Sequence, residues 1–349
     1  TMYGVLDDYE LFLGDRGYVG QHFDHGMSNN EYSAVAWHLP DETHATNWAT
    51  QNIVRFIKRR DPKRPSFWFL SYRHPHPPIV PLQTYLDFYR DIEIDEPVRG
   101  EWSRSETLPY SLQSATARGD RQSALQTQMA RHAFYALCTH IDHSLRVVIG
   151  SLREEGLLDN TIVCFTSDHG DMLGNHGMWA KLLFYEDSAN VPLILLGTAG
   201  DERVGLNRVD DRLVGWQDVM PTLLDLAGVD IPDTVDGISM VGEEKRHWFY
   251  GEVGEDDHAT RMIHDGRYKM IYYAAGNHRQ LFDLESDPRE LVDLSSEPQH
   301  TETLERLTGL LIGELYGGDE EWVEDGQLIG RPDRAYQPGP NRGLTSQRG

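Results

Sequence analysis

Basic residues are short in this chain, 32 Lys and Arg against 56 Asp and Glu, for a net charge of −24. That deficit argues against a nucleic-acid backbone as partner, because binding one needs concentrated positive charge. It does not bear on a small anionic ligand, which feels the local field of a pocket rather than the average charge. Cysteine is scarcer still. Cys138 and Cys164 are the two in 349 residues, without metal-type spacing, and they read as packing residues in a helix and a buried strand rather than as a disulfide. No apolar run is long enough to span a bilayer, so no membrane partner is expected. No signal peptide is visible, but the chain begins Thr1-Met2, so compartment stays open, as does the number of subunits.

What is there centres on residues 161–196. The run Thr161-Ile162-Val163-Cys164-Phe165-Thr166 lacks polar alternation, as expected of a strand buried on both faces of a parallel sheet. It empties into Ser167-Asp168-His169-Gly170-Asp171. Ligands gather where the strands of open α/β sheets end, so Asp168 and His169 form a candidate metal corner. A carboxylate and a neutral imidazole suit a divalent ion, but two side chains are too few to hold one. Lys181 follows a glycine-rich loop and could aim a fixed positive charge at an anionic group on the metal. Taken alone, the same residues also fit a loop tied to helix ends with Lys181 solvated.

Before this stretch, residues 1–45 show no clear periodicity and read as loop or insertion. Residues 46–60 carry Ala49, Ile53, Val54 and Ile57 at helical spacing, and Asp61-Pro62 stops the helix. Residues 67–72 form a second all-apolar strand ending in Arg73-His74-Pro75-His76-Pro77-Pro78. Prolines holding that segment extended would project His74 and His76 to the same side. Read for packing alone, this is a stiff surface loop with incidental histidines. Residues 79–118 read as a long covering loop with some helical turns. A long helix over 120–155 follows, with Leu125, Met129, Ala133, Leu137, Ile141, Leu145, Val148 and Leu152 on one stripe and Gly156 as stop. Its His132, His140 and His143 are expected to serve structure rather than ligate.

Beyond the centre, Met220 to Gly228 reads as a short helix with proline in its first turn. Strand-like runs follow at 247–252, 260–264, 268–273 and 280–284, with Asp265-Gly266 as a hairpin signal, then a helix at 303–314. The expected organisation is an α/β domain over 1–242, a small α+β domain over 243–316 and an extended tail over 317–349.

The ordered string Thr166-Ser167-Asp168-His169-Gly170-Asp171-Met172-Leu173-Gly174, His176-Gly177, Trp179, Lys181, Phe184-Tyr185-Glu186 and Val191-Pro192-Leu193-Ile194 resembles the second half of the sulfatases, in the alkaline-phosphatase superfamily. Pro75-His76-Pro77, the segment 218–228, and Phe282-Asp283-Leu284 with Asp287-Pro288 and Glu290-Leu291 extend the resemblance from about residue 46 onward. It implies an α/β fold: a mainly parallel central sheet flanked by helices, with a small C-terminal α+β domain on an antiparallel sheet. It also implies that Asp168 and His169 ligate a divalent cation, usually calcium. His169 stands where many members have Asn, which makes manganese conceivable. Lys181 matches the lysine on the sulfate and bridging oxygen, and His76 the histidine at the ester oxygen. His74 and His176 are treated as substrate-side contacts.

The family's nucleophile, a Cys or Ser in a C/S-x-P/A-x-R stretch converted to formylglycine, has no counterpart in these 349 residues. Asp7-Asp8 superficially resembles the family's first metal-binding acid pair, but the preceding apolar run is too short and no nucleophile motif follows. The expectation is an enzyme whose nucleophile segment lies in a missing N-terminal part, and a chain inactive by itself. The leading reading is a hydrolase of small-molecule sulfate esters. Two others stand beside it: a phosphonate monoester or phosphodiester hydrolase, and a non-catalytic chain that binds sulfated or phosphorylated ligands.

Overall fold

The fold is taken from a computed structural model that describes residues 7–104, 108–116, 122–181 and 183–334. In chain order the helices are α1 (Asp8–Asp15), α2 (Ala45–Arg59), α3 (Gln83–Tyr89), α4 (Tyr110–Thr116), α5 (Ala124–Glu154), α6 (Glu186–Ala189), α7 (Val219–Leu226) and α8 (Thr301–Glu314). The strands are β1 (Val163–Thr166), β2 (Leu193–Leu196), β3 (Phe249–Val253), β4 (Thr260–His264), β5 (Tyr268–Tyr273), β6 (His278–Asp283), β7 (Val323–Glu324) and β8 (Gln327–Leu328). These residues fall into two compact units, one of 7–96 with 122–160, the other of 97–116 with 161–334.

The first unit is helical among its described residues. Its α5 starts at a capping box in which the Ser123 hydroxyl accepts from the Gln126 amide and the Gln126 side chain accepts from the Ser123 amide. Gly156, at φ 66°, ends it, and the Leu157 amide turns back onto the Leu152 carbonyl at 2.8 Å. The buried face runs through Ala130, Ala133, Leu137, His140, Ile141 and Ser144, while Leu125 and Met129 are exposed. The expected stripe stepped by four residues, which drifts about 40° per step on a 3.6-residue helix. The true face corrects that drift with steps of three. On α2, Ile53 and Ile57 are buried, as their spacing predicted. Arg60, just past its end, holds Glu155 at 2.9 Å, fastening α2 to the end of α5.

Two expectations for this unit are corrected. Residues 1–45 include a helix, α1, capped by Asp7 accepting from the Glu10 amide at 2.8 Å. Residues 67–72 are not a buried strand. They pair with no strand among the described residues, and Phe67 and Phe69 are 77% and 72% exposed. An apolar run shows an extended chain but not whether a neighbouring strand covers it.

In the second unit β1 pairs with β2 antiparallel, from Val163↔Leu196 to Thr166↔Leu193, and is half-buried. The apolar run 161–166 predicts a strand buried on both faces of a parallel sheet, and the strand is neither. A continuous apolar run does not encode the direction of its partner. Strands β3 to β6 form an antiparallel meander in sequence order. The Asp265 carboxylate accepts from the amides of Arg267 and Tyr268, closing the β4–β5 hairpin where Asp265-Gly266 predicted it. Alternation along β5 sends Met270 and Tyr272 to a core with Leu304, Leu307 and Leu311 of α8. It sends Ile271 and Tyr273 to the opposite face, against Met172, Met178 and Tyr185. Trp322 and Leu328, placed by the sequence in an extended tail, pack into the α8 core, and residues 335–349 lie outside the described ones. Among the described residues no helix is long and apolar enough to cross a membrane. Both cysteines are free thiols, Cys138 in α5 and Cys164 in β1.

Candidate functional site

Strand β1 delivers Asp168 and His169 two and three residues past its end. The imidazole Nδ1 lies 2.8 Å from the Gly170 carbonyl, which can only accept, so Nδ1 carries the proton. In the neutral ring Nε2 then presents a lone pair, and it lies 3.4 Å from Oδ2 of Asp168. Two lone-pair groups at that separation repel unless a proton or a cation sits between them. A backbone carbonyl orienting the remote nitrogen is the usual way proteins fix a ligating histidine. The Ser167 hydroxyl donates to the His169 carbonyl at 2.8 Å and holds the turn.

The corner is fastened to α6. The Gly170 amide donates to the Ser188 carbonyl at 2.8 Å, and a Cβ on Gly170 would come within 2.1 Å of the Asp187 carbonyl oxygen. Only glycine permits that approach. The Asp171 carboxylate accepts from the amides of Leu173 and Ala180 at 3.0 and 3.2 Å. This closes the loop whose last residue, Ala180 at φ 67°, precedes Lys181. Lys181 is half-buried in the same unit.

His176 is 1% exposed. Its Nδ1 accepts from the Gly100 amide at 3.2 Å, and its ring lies against Trp102 and Tyr185. Burial pulls its pKa down to about 4. The ring thus props the glycine-rich loop from inside the unit.

His74 and His76 belong to the first unit. The segment is not extended as expected. The His76 amide donates to the Arg73 carbonyl at 3.2 Å, closing a turn with the cis His74–Pro75 bond at its centre. His76 is half-buried with Nδ1 donating to the Pro77 carbonyl at 2.7 Å, so its tautomer matches that of His169. His74 is buried, its ring stacked on His44 at 4.7 Å; His44 in turn lies 4.8 Å from His140, which stacks on Tyr85. His44 Nε2 donates to the Val80 carbonyl, and His140 Nε2 donates to the Asn47 amide oxygen at 2.8 Å. Burial pulls His44 down to about 3 and His140 to about 4, and holds His74 well below its ordinary range. This is a neutral structural stack, as expected for His140 and not foreseen for His44.

Among the described residues no group of three or more His, Cys, Asp or Glu side chains is arranged to hold a metal. Asp168 and His169 lie side by side, and two such side chains fit a cation only as part of a larger ligand set. Sequence reasoning missed a support of this region. Lys269, 2% exposed, reaches Glu186 at 2.6 Å and Glu290 at 2.7 Å. The signal was present, since alternation puts Lys269 on the inward face with Ile271 and Tyr273.

The chain is similar to known sulfatases and to a related hydrolase. A family model described as Sulfatase matches residues 4–229, and one described as N-sulphoglucosamine sulphohydrolase, C-terminal, matches 174–314. An arylsulfatase of Clostridium perfringens (strain 13 / Type A) is 32% identical over 336 residues, which are 94% of this chain and 70% of the relative. A choline-sulfatase of Rhizobium meliloti (strain 1021) is 34% identical over 251 residues, 68% of this chain and 48% of the relative, so the chain spans about half of that protein. The crystal structure of a phosphonate monoester hydrolase of Agrobacterium radiobacter superposes with a TM-score of 0.73 at 22% identity, covering 93% of this chain and 73% of that one. The last likeness shows a shared alkaline-phosphatase-like fold.

Proposed function

This chain belongs to the sulfatase family, and we propose that it contributes the cation corner and the anion-facing residues of a hydrolase acting on small-molecule sulfate esters. The observation that carries the reading is the orientation of the His169 ring. With Nδ1 spent on the Gly170 carbonyl, Nε2 faces the Asp168 carboxylate across 3.4 Å, a donor pair suited to a divalent ion. Calcium is the first candidate, and the imidazole donor admits manganese. A cation bound there would supply positive charge for the oxygens of an ester anion.

The chain's own residues then divide the work. Asp168 and His169 hold the ion. Lys181, carried by the loop that Asp171 closes, places a second cation for the sulfate oxygens. His76, carried by the first unit with its Nδ1–H held by the Pro77 carbonyl, matches the family's ester-oxygen histidine by its Pro75-His76-Pro77 motif. His176 and Asp171 set the loop on which Lys181 sits.

No C/S-x-P/A-x-R stretch occurs in these residues, so the reading predicts binding without turnover from them alone. Calorimetric titration of an aryl sulfate with and without chelator tests it. Affinity that depends on the cation and falls in Lys181→Ala supports the reading; binding indifferent to both refutes it.

A second reading, a phosphonate monoester or phosphodiester hydrolase, draws on the nitrogen donor at position 169. Titrating phenyl sulfate against a phenyl phosphonate ester separates the two.

A further inference from the structure

We propose that Trp216 is the specificity-determining residue of the candidate site, the platform that receives a flat ring on the alcohol side of the ester. Its indole N–H donates to the Ser167 carbonyl at 2.6 Å, one residue before Asp168. Consecutive Cα atoms lie about 3.8 Å apart, so this hydrogen bond seats the indole beside the metal corner. Yet the side chain is not packed away, for Trp216 is 47% exposed. A tryptophan with its one polar atom satisfied and its ring open to solvent offers a face for stacking.

The platform is rigid. Trp216 begins the short helical turn Trp216–Asp218, which the Asp218 carboxylate closes by accepting from the Gly215 amide at 2.8 Å. Asp218 is wholly buried, accepts from the Ile238 amide at 2.9 Å and pairs with Arg246, whose Nη2 donates at 2.7 Å. Gly215 has no room for a side chain, since a Cβ there would meet the Phe249 ring at 2.3 Å. A ring held this firmly loses little freedom when a ligand stacks on it. The interaction is with a ring face, and an aryl group or the C–H face of a pyranose both satisfy it. This inference rests on the reading of Asp168 and His169 as the ester-binding corner.

The test is calorimetric titration of the chain, with calcium present, using phenyl sulfate, glucose 6-sulfate and ethyl sulfate. The expected result is binding of at least one ring ester about two- to tenfold tighter than ethyl sulfate. Trp216→Ala erases that preference and leaves ethyl sulfate unchanged, whereas Trp216→Phe, which keeps a ring but loses the N–H, retains part of it. The favoured ring ester identifies the source. Equal weakening of all three esters in both Trp216 variants would mean that the indole merely holds the Ser167 carbonyl, and overturns the proposal. A wild-type chain with no ring preference, or a preference surviving Trp216→Ala while Asp168→Asn weakens every ester, overturns this proposal alone. Binding absent altogether, or indifferent to Asp168→Asn, overturns the corner and the proposal with it.

Discussion

Lys269 and Glu290 form an ion pair at 2.7 Å with 2% of each side chain exposed, and Glu186 shares the same ammonium at 2.6 Å. The Glu186 amide also donates to Glu290 at 2.7 Å, so the triad ties α6 to β5 and to the segment after β6. Two carboxylates compete for one cation. Burial raises Glu290 to about 7 against the pull of Lys269. Burial also acts on Glu186, but Lys269 and Asn190 outweigh it and lower its pKa. The less buried acid keeps its charge.

Lys269→Met is expected to destabilise the second unit by about 3–5 kcal/mol, because removing one partner strands buried charge. Chemical denaturation at neutral pH checks this. A cost below about 1 kcal/mol would mean that the pair is dispensable.

Glu290 also gives a pH signature. Its folded pKa lies above its ordinary value, so the folded state binds the proton more tightly than the unfolded state. The corresponding stability is full below about 4.5 and is lost as pH rises through about 7. Relative to Glu290→Gln, the wild type should lose on the order of 3 kcal/mol over that window. Parallel denaturation series of the two proteins read the difference directly.

The histidine stack of the first unit carries the opposite sign. His44, His74 and His140 are depressed by burial, so their stability contribution is full above about 6.5 and declines as pH falls through about 4 and 3. Acidification from 7 to 5 should weaken this unit. His140→Gln, which keeps a donor for Asn47, should flatten that dependence in acid-titrated circular dichroism.

Gly170→Ala should misplace the corner, since its Cβ would lie 2.1 Å from the Asp187 oxygen. Overpacking of this kind costs about 1–3 kcal/mol. A fall in melting temperature accompanied by weaker cation binding is the expected pair of results; Gly150→Ala, in open space on α5, serves as the control.

Much of this was legible in the sequence because it rests on local periodicity. The strands 260–264 and 268–273 fall where alternation placed them, and α8 begins two residues earlier than predicted. Asp168, His169 and Lys181 stood out as chemistry following a strand. What was not legible depends on partners distant in the chain. Phe67 and Phe69 look like core until their neighbours are known, and β1 does not encode the direction in which β2 runs. The Lys269–Glu186–Glu290 triad joins residues more than eighty positions apart. Trp216 shows nothing in its own neighbourhood that points to Ser167.

The central claim is that Asp168 and His169 supply two of the ligands of a divalent-cation site, and calorimetric titration of Ca2+ and Mn2+ into the metal-free chain tests it most directly. The account predicts one site, weakened about tenfold or more by Asp168→Asn, with His169→Asn shifting preference from manganese toward calcium. Cation affinity unchanged in both variants would contradict it.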